Sequence, residues 1–229
     1  MLVNSIDISN FKAILLSKDI QTANIITYDD WLRNSLNPLF LGKQEQYKSL
    51  KVRLFIEDTN DETALNDISN IVKQFEKCIL KFDDLSLYYD CLIVSKNHER
   101  IAIGRYNLEI ELKGYAYKSQ ITETANRVFS KTINIPGNSE TPAIVEITPS
   151  IALVDLVVTG LGETFTLKNL AAGQKIIVNG EDCTVLQGST NRFSDYDSWD
   201  FPVLSPGANT ITFSKNSCDV SIKYKPRYI

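Results

Sequence analysis

The chain has 229 residues, 43% of them hydrophobic and 23% charged, a composition that excludes an intrinsically disordered protein and is ample for one sizeable core or two modest ones. A formal charge of −4 and a pI near 5.2 argue against nucleic acid as a partner, because basic residues are scattered among a larger number of acids. The same sign disfavours an anionic membrane surface.

The opening residues Met1 to Asp7 lack the basic stretch and apolar run of a signal peptide. No apolar segment approaches the ~20 residues that span a bilayer, so the expectation is folding in a cytoplasm without membrane insertion. Cys78, Cys91, Cys183 and Cys218 form no CxxC pair and have no regular spacing. They are expected to be buried free thiols rather than a disulfide or metal site.

In chain order, Trp31, Leu36, Pro38, Leu39, Phe40 and Leu41 form an apolar stretch with no single-face period. It reads equally as a buried connection or as a subunit contact. Lys51 to Glu57 is a β-prone run. Asp58-Thr59-Asn60-Asp61 then offers helix caps, with Glu62 in the first turn. Leu65, Ile68, Val72, Phe75 and Ile79 recur at spacings of three and four, which predicts an amphipathic helix near 61–78. Its polar face carries Asn66, Asp67, Lys73 and Lys77. Leu87 to Val94 reads as a strand and Lys96-Asn97-His98-Glu99 as a turn. Tyr106 to Lys113 alternates apolar and polar residues without a slip, the pattern of a strand with one wet face.

From residues 130–142 the character changes. Ile135-Pro136-Gly137-Asn138-Ser139-Glu140-Thr141-Pro142 has the content of a linker. Beyond it no helical period appears, and seven short strands are predicted: 144–147, 152–158, 165–167, 175–178, 184–186, 210–213 and 220–224. Asn179-Gly180 suggests a type I′ hairpin turn and Pro206-Gly207 a second turn. Together these predict an all-β sandwich of ~100 residues.

Candidate chemistry is sparse. His98 is the single histidine, and neither GxSxG nor HExxH occurs. Asp83-Asp84 and Asp29-Asp30 lack the spaced ligand series of a calcium loop. Asp195, Asp197 and Asp200 cluster with Tyr196 and Trp199. Such a set suits a saccharide or a glycosidase, although a tryptophan that anchors its loop in the core is the commoner arrangement. No catalytic residue, cofactor or metal is expected, and a cell-wall hydrolase is the weakest of the readings. Lys223 to Tyr228 interleaves basic and aromatic residues and is expected to end the last strand at Pro226.

Two stretches resemble the distal tail protein (Dit-like) family of siphophages that infect Gram-positive bacteria. One is Val3-Asn4-Ser5-Ile6-Asp7-Ile8-Ser9 followed by Leu15 to Ile20. The other is Phe201-Pro202-Val203-Leu204-Ser205-Pro206-Gly207-Ala208-Asn209-Thr210-Ile211, closed by Val220 to Tyr228. The physics is compatible: Pro202 and Pro206-Gly207 fix a turn, Asn209 can bond its own backbone, and Ile211 and Phe213 can face a core.

The resemblance implies a mainly β (α+β) chain. Residues 1–132 would form a tail-tube-like, ring-forming domain with one helix, and residues 133–229 a galectin-like β-sandwich for docking. Six copies would close a single or double ring at the distal end of the tail tube. That ring would join the tube to tail-tip, baseplate or receptor-binding proteins, in a virion tail assembled in the host cytoplasm or encoded by a prophage. At this length the chain resembles the short form, without an inserted carbohydrate-binding module, and it lacks the His-x-Asn-x-Arg set with which galectins hold galactose. Trp31, Leu36, Leu39, Phe40 and Leu41 are the candidate subunit interface. The alternative is a glycan-binding module for host cell-wall saccharide, with Tyr196 and Trp199 as contacts.

Overall fold

The computed structural model describes residues 1–229, which form two compact units: Met1–Tyr117 with Ile229, and Lys118–Tyr228. The division falls between Tyr117 and Lys118, not between 132 and 133. The Pro- and Gly-rich stretch near 135–142 is a loop inside the second unit, because the strand before it pairs with one late in the chain.

The first unit contains β1 (Leu2–Val3), β2 (Ile6–Asp7), β3 (Ala13–Ile20), β4 (Ile25–Asp30), β5 (Leu39–Glu45), β6 (Lys48–Glu57), α1 (Asp61–Phe75), β7 (Lys77–Lys81), β8 (Tyr88–Ala102) and β9 (Arg105–Tyr117). Its main sheet runs β2-β1-β7-β8-β9-β6-β3, all antiparallel. In β6 and β9 burial alternates residue by residue. Leu50, Val52, Leu54 and Ile56 of β6 thus share one buried face with Leu108, Ile110 and Leu112 of β9. α1 lies against β6, β7 and β9. It presents Ala64, Ile68, Ile71, Val72 and Phe75 to the core.

The helix begins where its cap requires. The Asn60 side chain accepts from the Thr63 N–H at 3.0 Å, with Asp61 and Glu62 in the first turn. It ends at Phe75, earlier than residue 78, because Lys77 already opens the β7–β8 ladder. Leu65 is exposed, and Ile79 belongs to β7. Strand β8 likewise continues through Lys96-Asn97-His98-Glu99, so that stretch is no turn; the reversal comes at Ile103-Gly104, where Gly104 has a φ of 68°.

The second unit contains β10 (Ile121–Asn126), β11 (Ser130–Ile135), β12 (Thr141–Pro149), β13 (Leu153–Thr159), β14 (Phe165–Leu170), β15 (Ile176–Asn179), β16 (Thr184–Gln187), β17 (Thr190–Asn191), β18 (Tyr196–Asp197), β19 (Val203–Leu204), β20 (Gly207–Phe213) and β21 (Cys218–Tyr224). One sheet runs β10-β21-β12-β15-β16-β17 with β19 beside β12, and the other runs β11-β20-β13-β14-β18. Their facing side chains make one core, including Val145, Ile147, Leu156, Val158, Phe165, Leu167, Ile211 and Ile222. This is a β-sandwich. The chain as a whole is mainly β.

Two turns repay a closer look. Asn209 donates to the carbonyls of Ser205 (2.7 Å) and Gly207 (3.0 Å) and accepts from the Ser205 N–H (3.2 Å), so its amide closes the Pro206-Gly207 turn. Asn179-Gly180 does not make a two-residue type I′ turn. Four residues separate β15 from β16, the Asn179 side chain accepts from the N–H groups of Glu181 and Asp182, and Cys183 takes the positive φ of 54°. Gly180 is required for another reason: a Cβ there would overlap the Pro202 carbonyl.

One ion pair ties the N-terminal segment to the entrance of α1. Lys12 donates to Asp58 at 2.5 Å and the Thr59 N–H donates to the same carboxylate at 2.6 Å, which holds Asp58 well below the usual carboxylate range. A depressed folded-state pKa contributes stability above the unfolded value near ~3.9 and loses it as pH falls toward the folded value. Asp58→Asn should therefore lower the urea midpoint at pH 7. The gap between variant and parent should shrink steadily below pH ~4.

Candidate functional site

Beyond the main sheet, β3 and β6 continue outward as a two-stranded ribbon. The Gln21 N–H donates to Ser49 O at 2.9 Å and the Gln46 N–H to Asn24 O at 2.8 Å; then β4 and β5 pair from Ile25–Glu45 to Asp30–Leu39. No third strand joins them. Tyr28 donates to Gln44 across the ribbon at 2.9 Å. A bulge follows Tyr28, opposite Gly42. The tip, residues 31–38, is shaped by Asn34 at φ 70° and by the Ser35 hydroxyl, which donates to the Asn37 carbonyl at 2.6 Å.

This arm is apolar and wet. Leu36 is 92% exposed, Phe40 63% and Leu41 62%, and Trp31, Leu32, Leu39, Ile25 and Tyr28 are exposed as well. The stretch is therefore no buried connection within the chain. Neither face of a two-stranded ribbon is covered, so its side chains have nothing of their own to pack on. Further exposed apolar residues stand on the body of the same unit: Ile14 and Leu16 on the edge strand β3, Val94 and Ile101 on β8, and Ile103 in the β8–β9 turn. The outer face of the sheet beside them is charged but balanced. Lys51 lies 2.5 Å from Glu109, and Arg53 lies 2.6 Å from the same carboxylate.

In the second unit the loop after Phe193 separates its aromatics sharply. Tyr196 is buried; its ring stacks on Phe201 at 5.4 Å and its hydroxyl donates to the Asp200 carbonyl at 2.5 Å. Trp199 is 97% exposed. The tryptophan does not anchor the loop; the tyrosine does. The acids also part company. Asp195 pairs with Arg192 at 2.7 Å and Asp197 with Lys168 at 2.8 Å, whereas Asp200 borders a depression of about 510 Å³ shared with Glu140, Glu163, Trp199, Val203 and Ser205. Tyr196 and Trp199 thus do not act on one surface.

His98 lies on β8 with its ring 6.1 Å from that of Tyr106, and no group of three or more His, Cys, Asp and Glu side chains is arranged to hold a metal ion. Asp83 meets the N-terminal amine at 2.9 Å and Asp84 pairs with Lys18. All four cysteines are free thiols. Cys78, Cys91 and Cys218 are buried, but Cys183 is exposed, so the expectation of four buried thiols fails at one position. Cys78 and Cys91 face each other across β7 and β8, where Gly114 leaves room for the Cys91 sulfur.

Residues 136–228, nearly all of the second unit, match the model of the siphovirus-type tail component C-terminal domain. The whole chain superposes on a crystal structure of SPP1 Dit, described as a paradigm of the hub adsorption apparatus in phages that infect Gram-positive bacteria. The TM-score is 0.77 at 9% identity, over 100% of this chain and 98% of that one. Residues 136–228 thus match a siphovirus-type tail component domain, and the chain as a whole shares the fold of SPP1 Dit. Its fold is also similar to a chain of the phage P2 baseplate in its calcium-activated conformation, with a TM-score of 0.55 at 13% identity over 96% and 92% of the two chains. The strontium form gives 0.52 at 14% identity, over 97% and 94%. No curated protein matches at a significant level. The motifs from Phe201 to Ile211 and from Val220 to Tyr228 both lie inside the matched region.

Burial pushes the Cys78 thiol up to about 12 and raises those of Cys91 and Cys218 as well. In the native protein a disulfide-exchange reagent should therefore titrate one thiol, that of Cys183, and all four only after unfolding.

Proposed function

We propose that the protein is a structural component of a siphophage tail and assembles as a hexameric ring at the distal end of the tail tube. The arm formed by β4 and β5 carries this reading. A closed ring needs a heterologous interface, in which one surface of each copy meets a different surface of the next. The arm supplies a projecting apolar surface; the exposed residues Ile14, Leu16, Val94, Ile101 and Ile103 supply a candidate receiving surface on the body of the neighbour. Two dissimilar patches on one unit suit head-to-tail closure better than a two-fold dimer.

The second unit then serves as a docking platform for tail-tip, baseplate or receptor-binding proteins, and the ring contacts the tail tube on its other side. Support comes from the family of residues 136–228 and from the shared fold with the SPP1 hub protein and the P2 baseplate chain. In this reading the chain works by assembly and not by catalysis.

Six copies of the 25.8 kDa chain make a particle of about 155 kDa. Light scattering should find that mass at high protein concentration, and electron microscopy a six-fold ring with a central hole. Changing Phe40 and Leu41 together to Glu should leave a folded monomer that no longer assembles. If that variant forms the ring as well as the parent does, the arm is not the interface.

A further inference from the structure

We propose that the loop bearing Trp199 and the depression beside it form a binding site for a neutral or amino-bearing saccharide. The site lies wholly within the second unit, and its test is independent of ring formation.

The first reason is rigidity. An exposed tryptophan on a loose loop would carry little meaning, but this loop is fixed from both sides. Tyr196 and Phe201 stack within it, Phe193 stacks on Phe201 at 6.2 Å, and the Asp200 N–H donates to the Ser198 hydroxyl at 3.2 Å. Tyr196 is buried and Phe201 packs partly buried against the core, while the indole, the largest apolar group of the set, is held out in water. A preorganised ring costs little entropy to use as a stacking surface.

The second reason is the chemistry around it. The depression, about 510 Å³, falls within the size range of small-ligand sites. It combines the indole with the carboxylates of Glu140, Glu163 and Asp200 and the hydroxyl of Ser205. None of the three carboxylates is held in a salt bridge, unlike Glu146, Glu181, Asp195 and Asp197 of the same unit. A protein anchor site would surround such a tryptophan with apolar groups that exclude water. Here Cys183, Phe201 and Val203 share the lining with those four hydrogen-bonding side chains, so the tryptophan has polar as well as apolar neighbours. A sugar ring matches both features: its C–H face stacks on the indole, and its hydroxyls or amino groups donate to carboxylates, where ionised acceptors make the stronger bonds.

The third reason is sign. With three carboxylates and no Lys or Arg in the lining, the site repels phosphate- or carboxylate-bearing polymers and favours neutral or cationic sugars.

The full-length protein should be screened on an array of neutral, amino-bearing and phosphorylated oligosaccharides. The strongest ligand is then titrated calorimetrically. We expect saturable binding to a neutral or amino-bearing member. Trp199→Ala should weaken it about tenfold or more, Trp199→Phe less, and Glu163→Gln with Asp200→Asn should weaken amino-bearing ligands most. Circular dichroism and urea midpoints should stay unchanged, since the indole is outside the core. Binding confined to phosphorylated members, no saturable binding to any neutral or amino-bearing member, or affinity unaffected by Trp199→Ala would each overturn the assignment.

Discussion

A two-stranded β ribbon has no inside. Once β3 and β6 run past the edge of their sheet and become β4 and β5, every side chain they carry faces water unless another surface arrives. Burying one large apolar side chain is worth roughly 1.5–3 kcal/mol, and this arm exposes Ile25, Trp31, Leu32, Leu36, Leu39, Phe40 and Leu41. That forgone burial is large compared with the marginal stability of a domain. The backbone, by contrast, is well provided for: the ladder continues from Gln21–Ser49 to Asn24–Gln46 and along the ribbon. The arm therefore has a defined shape but no apolar cover within the chain, and the proposed ring contact rests on that feature.

The rest of the first unit serves as a stiff base for that arm. β6 is paired over its whole length with β9 on one side, and with β3 on the other. The helix seals the inner face with Ile68, Ile71 and Phe75. The outer face is covered by Lys51, Arg53, Glu109 and Glu111 in linked ion pairs. Exposed pairs of this kind contribute little stability. Their effect is to keep a large flat sheet hydrated and to confine stickiness to the arm and the few apolar residues of the body. The second unit shows the opposite design, a sandwich whose two sheets close fully on a single core.

Regular alternation made much of this legible from residues alone. Tyr106 to Lys113, a helix cap within Asp58 to Asp61 (Asn60 fills it) and all seven strands predicted in the second half reappear in the structure, because period and capping are local properties. Misreadings arose where a distant partner decides. Lys96 to Glu99 looks like a turn but is held as strand by its pairing with Ile110 to Asn107 of β9. The Pro- and Gly-rich segment looks like a boundary, yet β11 ahead of it belongs with β20. At Asn179-Gly180 the glycine answers a close approach of Pro202 rather than the demands of a tight turn. Trp31 to Leu41 was ambiguous in principle, since an apolar stretch reads the same whether it meets its own core or another molecule. Only the three-dimensional placement separates Tyr196 from Trp199, neighbours in sequence with opposite exposure.

The central claim is that a neighbouring copy covers the arm. Hydrogen exchange, followed by mass spectrometry over residues 25–45 at protein concentrations below and above assembly, tests it most directly. The account predicts that exchange in the arm slows several-fold on assembly while the β6–β9 ladder, already protected in the free chain, changes little. Equal exchange in the arm in both states, with the ring formed, would contradict it.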